Sequence, residues 1–332
     1  MKILITGSAG FIGFHAVQEF SRRGWDVIGV DNFSDYYDVQ LKRDREAMLS
    51  CLQHYMGIVV DICDHKQLRE IFLIEEPDVV LNLAAQPGVR YSITNPFVYQ
   101  KTNIEGFLNV LECCRYLDKK PKLVFASSSS VYGNSVKMPF EEHDTVAMPV
   151  SLYAATKRAN ELMAYTYAHL YKIQTIGLRL FTAYGDWYRP DMALSLFAAS
   201  MLQDKPIKVF NNGDMRRDFT YIDDVVDGIV RVVDSDRLPL YDIFNIGNNQ
   251  SENLMDVIET LALALGVSPK MEMLPMQIGD VYATYSSIDK LSKAVGYEPK
   301  TNIAKGIPIF AEWHRRYYNH RKRLSQRQTD VQ

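Results

Sequence analysis

The sequence predicts an α/β protein built on a doubly wound parallel sheet, with a smaller α/β domain toward its C-terminus. Two observations carry that expectation. Short apolar runs alternate with amphipathic stretches of helical period, the pattern of strands buried on both faces and covered by helices. A glycine-rich turn, Gly7-Ser8-Ala9-Gly10-Phe11-Ile12-Gly13, follows the first apolar run directly and opens a helical stretch. In order, Lys2 to Thr6, Asp26 to Val30, Val79 to Leu83, Leu123 to Ala126 and Thr175 to Leu180 read as buried strands. Beyond about residue 180 the pattern loosens and Pro190, Pro206, Pro239, Pro269, Pro275 and Pro299 punctuate it, with a return to the sheet expected around Asp242 to Ile246. The resulting division assigns residues 1–180 and 219–249 to the sheet domain, and 181–218 and 250–332 to a smaller, lid-like one.

The chain has 332 residues, 47% of them apolar, enough for a substantial core. A net charge of −3 gives no global reason to bind nucleic acid or an anionic membrane. The basic stretch Arg315, Arg316, Arg321, Lys322 and Arg323 reads as a solvated helix end. Four cysteines (Cys51, Cys63, Cys113, Cys114) form no CxxC pair, so neither a metal site nor a disulfide framework is expected, and a reducing cytoplasm fits. Met1 runs straight into the first strand with no leader-like segment, and no apolar run approaches the ~18 residues of a membrane span.

The glycine turn points to a dinucleotide. Glycines there let the backbone approach a pyrophosphate at a helix N-terminus, where free amides and the helix dipole favour anions. The second strand ends at Asp31, placed to accept hydrogen bonds from an adenosine ribose and to repel a 2′-phosphate, which favours NAD over NADP. Gly7, Gly10, Phe11, Ile12, Gly13, Asp31 and Asn32 are therefore cofactor candidates. Asp61 and Ile62, after a third apparent strand, are placed for the adenine, and Ala84 and Ala85 offer a small surface beside the pyrophosphate.

Tyr153 and Lys157 stand four apart in a helical stretch continuing to about Tyr171, which puts both on one face. A tyrosine ionises near pH ~10, so as a base at neutral pH it needs adjacent positive charge, which Lys157 supplies. Among 20 tyrosines a lone YxxxK is weak. It gains force from Ser127-Ser128-Ser129-Ser130 at the end of the strand Leu123 to Ala126, because ligands of doubly wound sheets bind at C-terminal strand ends. Ser128, Tyr153 and Lys157 then form a group suited to hydride transfer, with Tyr153 and Lys157 also reaching the cofactor.

Together these residues resemble the extended short-chain dehydrogenase/reductase family over nearly the whole chain. Four segments are specifically similar to UDP-glucuronate 4-epimerases: Asp31 to Val39, Ala84 to Ser92, the serine run with Lys137-Met138-Pro139-Phe140, and Arg189-Pro190-Asp191-Met192-Ala193. The resemblance implies a Rossmann domain with NAD retained through turnover, a C-terminal nucleotide-sugar domain, and a homodimer packed through residues 98–116 and 152–171. By position it implies Tyr153 as base, Lys157 as its partner, Ser128, Ser129 and Ser130 on the sugar, and Arg217 near the diphosphate. It likewise implies that Asn103 lies before the sugar pocket, that Val209 and Phe210 flank the uracil, and that Arg90, Gln277 and Asp280 contact the substrate. Asp186 and Tyr188 depart from the usual proline and glycine before the Arg-Pro-Asp-Met segment, as does Ile278 from a commoner proline.

The activity this implies is interconversion of UDP-glucuronate and UDP-galacturonate at sugar C4. Family dehydratases and decarboxylases carry an acid before Val131-Tyr132-Gly133, where this chain has Ser129-Ser130, which points to oxidation and re-reduction at one carbon. The competing reading is a UDP-glucose or UDP-N-acetylhexosamine 4-epimerase, which shares the catalytic residues; Gln277, where simple hexose epimerases tend to carry arginine, leans toward the uronate. A non-catalytic NAD-binding scaffold would be expected to lack Tyr153 or Lys157. Thr182 and Arg189, on the loop after Leu180, offer a hydroxyl and a planar cation for the sugar carboxylate, although Arg189 has Asp186 and Asp191 as alternative partners.

Overall fold

The computed structural model describes residues 1–277 and 279–329, and of 322–329 the backbone alone; Ile278 and the Lys322 and Arg323 side chains lie outside the described residues. The first half runs β1 (Lys2–Thr6), α1 (Phe11–Arg22), β2 (Asp26–Asp31), α2 (Val39–Leu49), β3 (Tyr55–Val59), α3 (His65–Glu75) and β4 (Val79–Asn82). Short helices α4 (Tyr91–Thr94) and α5 (Pro96–Tyr99) lead through a π-helical turn, Gln100–Gly106, into α6 (Phe107–Tyr116). Then come β5 (Lys122–Ser128), a 3₁₀ turn at Ser129–Tyr132, α7 (Leu152–Tyr171) and β6 (Thr175–Leu180).

The second half runs β7 (Thr182–Tyr184), α8 (Ala193–Leu202), β8 (Ile207–Phe210), β9 (Arg216–Tyr221), α9 (Ile222–Asp234) and β10 (Tyr241–Ile246). It ends with β11 (Ser251–Asn253), α10 (Leu254–Leu265), β12 (Met271–Leu274), α11 (Asp289–Val295) and α12 (Ile303–Thr329).

Seven strands form one sheet in the order β10-β6-β5-β4-β1-β2-β3, every neighbouring pair parallel. The chain starts centrally at β1, moves outward to β3, then crosses back and builds the other half from β4. The reversal between β1 and β4 leaves a crevice at their C-terminal ends, the place where such sheets bind ligands. The expected doubly wound fold is the one observed.

Each strand serves two cores because successive side chains point to opposite faces. Ile3, Ile5, Val79 and Leu81 join the core under α1 and α9, while Leu4, Val80 and Phe125 join the core under α3 and α6. β5 runs two residues past its expected end because Ser127 and Ser128 continue the parallel register against Arg179 and Leu180 of β6. That extension holds the serines on the rigid sheet. The later segments form a three-stranded sheet, β11-β9-β7, and a parallel pair, β12-β8, with α10 packed on α8 and α12.

Candidate active site

The glycine turn is folded against its neighbours too closely for other residues. Gly7 has φ +72°, and a Cβ there would lie 2.8 Å from the Ala84 amide nitrogen; at Gly13 a Cβ would lie 2.0 Å from the Gly7 carbonyl oxygen. Gly10, the N-cap of α1, contributes no side-chain cap. The first-turn amides of Phe11, Ile12 and Gly13 therefore stay available to an anion. Phe11's side chain is buried against Tyr188, so only its backbone can serve a cofactor.

Asp31 ends β2 beside this turn, its carboxylate accepting from the amides of Ala9 (3.1 Å) and Phe33 (2.8 Å). Burial pushes its carboxyl upward, opposed by the Phe33 amide and the Lys42 ammonium. Asn32 donates to Asp61 at 3.0 Å, which fixes two of the expected adenosine-side residues together. Burial opposes ionisation of Asp61, but the Cys63 amide and Asn32 hold its pKa below the usual range. Ile62 packs on Gly106, and its carbonyl accepts from Asn109. Ala84 donates its amide to Thr6 across the sheet, setting the wall of the crevice that Ala85 continues.

Ser151 caps α7, its hydroxyl accepting the Ala154 amide at 3.1 Å. That start places Tyr153 and Lys157 one turn apart, facing the end of β5. The buried Lys157 ammonium donates to the Ala126 carbonyl at 2.9 Å, and burial brings its pKa down to about 8. Burial pushes the Tyr153 phenol up, while the Ser128 hydroxyl and the Arg189 charge pull it down. Ser128 also bonds the Ser130 hydroxyl at 3.0 Å. The Tyr153 ring rests edge-on against Tyr99, at 6.2 Å between centroids.

Asn103 belongs to the π-helical turn and acts as a clamp. Its side chain accepts the Gln86 amide (2.7 Å) and donates to the Gln86 carbonyl and the Thr156 hydroxyl. Asn160 in turn donates to the Asn103 carbonyl at 2.6 Å. A π-turn shifts the helical hydrogen-bond ladder, and here α7 satisfies the displaced carbonyl. The segment after Ala85 is thus locked to the helix bearing Tyr153.

On the sugar side a cavity of about 150 Å³ is lined by Ser129, Ser130, Thr182, Arg217 and Asp280, bringing together five of the expected substrate residues. It shares Gly133, Asp280 and Val281 with an adjoining groove of about 1000 Å³ that Gln277 also lines. Arg217 donates to the carbonyls of Val281 and Tyr282, and burial pulls its pKa down. Arg90 pairs with Asp280 at 2.8 Å and lies over the Phe210 ring. Val209 is a correction. It is fully buried in the core because alternate residues of β8 face opposite ways, so Phe210 alone faces the Arg90 side.

Arg189 engages Asp191 through Nε (3.0 Å) and Nη2 (2.5 Å), not Asp186. The preceding loop is anchored despite its unusual residues. The Asp186 carbonyl meets His15 at 3.0 Å, Trp187 lies among Phe14, Trp313 and Tyr317, and Tyr188 is buried between Phe11 and Phe310. Sequence reasoning missed Tyr36, whose ring lies 5.8 Å from the Arg189 guanidinium, and Arg45, buried behind the glycine turn. It missed Glu161 too, which takes Arg179 and the Ser127 hydroxyl beneath the serine run.

Residues 3–247 match the NAD dependent epimerase/dehydratase family, and the chain belongs to that family. It is 42% identical to UDP-glucuronate 4-epimerase 4 of Arabidopsis thaliana, over 98% of this chain and 78% of the plant protein. It is 41% identical to a probable UDP-glucuronate 4-epimerase of Rhizobium meliloti, over 96% of this chain and 98% of that one. The crystal structure of UDP-glucuronic acid 4-epimerase from Bacillus cereus with UDP-glucuronic acid and NAD superposes with a TM-score of 0.90 at 33% identity, covering 96% of this chain and all of the other.

Proposed function

We propose that this protein interconverts UDP-glucuronate and UDP-galacturonate by oxidising and re-reducing sugar C4 with NAD that stays bound. One observation carries the reading: the buried Lys157 ammonium, held by the Ala126 carbonyl, sits one helical turn from Tyr153 at the end of β5, and the Arg189 charge also lowers the Tyr153 phenol's pKa. The residues fit NAD. The uncapped first turn of α1 suits the pyrophosphate, Asp31 and Asn32 the adenosine ribose, Asp61 and Ile62 the adenine, and Ala84 and Ala85 the crevice wall. Residues 1–180 and 219–249 carry this site, and 181–218 with 250–332 close over the nucleotide sugar.

Bound there, NAD supplies the acceptor and donor of a hydride. Tyr153 takes the C4 hydroxyl proton as that hydrogen leaves, and gives the proton back when the opposite face is reduced. Ser128 shares the hydroxyl's hydrogen bond and orients it, with Ser129 and Ser130 on the sugar. Lys157, cationic below a pKa of about 8, favours the phenolate and reaches the nicotinamide ribose. Arg217, Arg90 and Asp280 hold the UDP end, with Phe210 on the base and Gln277 at the groove.

Oxidation at C4 makes a ketone β to the C6 carboxylate, which loses carbon dioxide readily when the breaking bond stands perpendicular to the carbonyl plane. Thr182 and the N–H donors of Arg189 that Asp191 leaves unused fix the carboxylate against that geometry. NMR analysis of products from UDP-glucuronate and UDP-glucose, offered separately, tests the assignment. UDP-galacturonate from the first alone is expected; brisk turnover of UDP-glucose moves it to the neutral-sugar epimerases.

The same reading includes a cytoplasmic homodimer joined through 98–116 and 152–171. Leu108 on α6 and Leu162, Tyr165 and Leu170 on α7 are exposed apolar residues that such packing would cover. No described helix is long and apolar enough to cross a membrane. Light scattering should return twice the 38.1 kDa chain mass.

A further inference from the structure

We infer that Arg45 is a positioning residue that ties the loop bearing Arg189 to the glycine turn. The substrate side of the inference rests on the uronate reading; the geometry does not. Arg45 lies on α2, away from the reacting atoms, with a fully buried side chain. Among the described residues its guanidinium meets no carboxylate, only neutral acceptors. Nη1 donates to the Ala9 carbonyl and the Tyr37 hydroxyl, both at 2.9 Å, and Nη2 donates to the Trp187 carbonyl. Nε has no partner. A buried cation with no carboxylate in hydrogen-bond contact is costly, and Asp31 acts on it only through space, so its contacts mark a constraint.

The two carbonyls belong to the two halves of the site. Ala9 is in the glycine turn, and Trp187 lies two residues before Arg189. Trp187 has φ +55°, a left-handed conformation that a side-chain-bearing residue keeps only when its surroundings enforce it. Here Arg45 holds its carbonyl, the ring lies 5.3 Å from Phe14 and 5.8 Å from Trp313, and His15 holds the preceding carbonyl. Phe14 and His15 are on α1, the helix that starts at the glycine turn. One planar fork thus spans nucleotide turn and carboxylate loop, a reach that a lysine's single ammonium cannot reproduce.

Arg45→Met and Arg45→Lys, studied as purified holoenzymes, test this by KM, UDP inhibition and tryptophan emission. In Arg45→Met, KM for UDP-glucuronate should rise on the order of tenfold while kcat and UDP inhibition each change by less than about threefold. Its emission should shift red as Trp187 leaves its aromatic neighbours, and Arg45→Lys should fall between it and wild type. Equal loss of affinity for UDP and UDP-glucuronate, or an unchanged KM, overturns the inference. If Arg45→Met does not fold, the same split in Arg45→Lys decides. Wild-type protein inactive on UDP-glucuronate sinks the uronate reading instead, and emission then judges Arg45: a red shift supports the tie and an unchanged spectrum removes it.

Discussion

The Ser128, Tyr153 and Lys157 group and the Trp187–Asp191 loop differ in how they are built. The first comes from two adjacent elements, the end of β5 and the start of α7, with its positions set by sheet register, one helical turn and a capping serine. The second depends on α1, α2 and α12, distant in sequence, converging on five residues. Under the proposed function, chemistry sits on rigid, locally specified elements, whereas selectivity for the sugar rests on a loop that many long-range contacts must hold. The difference predicts that damage to the first lowers kcat, and damage to the second raises KM.

The largest expected effect is in the first region. Tyr153→Phe removes the proton acceptor and should lower kcat by at least ~10²-fold while retaining fold and NAD, the latter measured after acid extraction. Near-normal turnover would send the search for the base to Ser128.

Acid should next strike the loop's support. His314 on α12 is buried with an unpartnered Nδ1, and burial lowers its pKa to about 4. In the unfolded chain the imidazole takes up its proton near its ordinary pKa of 6.5, so this stabilisation is complete above pH 6.5 and is lost as pH falls toward 4. A shift of that size corresponds to about 3 kcal/mol at most. Denaturant titrations at pH 7 and pH 5 should show His314→Phe less acid-sensitive than wild type; parallel losses would exclude His314 as the titrating group.

Arg189→Ala should raise KM for UDP-glucuronate on the order of tenfold or more, leave UDP inhibition nearly unchanged, and release a UDP-pentose by-product. Equal losses for both ligands would remove Arg189 from the carboxylate. The smallest effect is expected from Asp191→Asn, which frees the guanidinium from its neutralising partner: KM for UDP-glucuronate should fall by about twofold to threefold. A tenfold rise would make Asp191 a required brace for Arg189.

Much of this protein was determined by sequence alone, for reasons of short range. Alternating apolar runs define strands because a doubly covered sheet must bury both faces of each, and the glycine turn before α1 is legible because its close backbone approaches exclude other residues. Ser128, Tyr153 and Lys157 could be read from helical period and strand position. Tertiary structure decided the rest. Val209 and Phe210 are adjacent in sequence, but only the packing of β8 shows that Val209 is core. Asp186 and Tyr188 look disruptive as text, yet His15 and the buried aromatic rings absorb them. Arg45 looks like one basic residue in a polar helix, because the carbonyls that give it a role lie 36 and 142 residues away. Local periodicity records which face of an element is buried; it carries no record of which distant backbone atoms will arrive there.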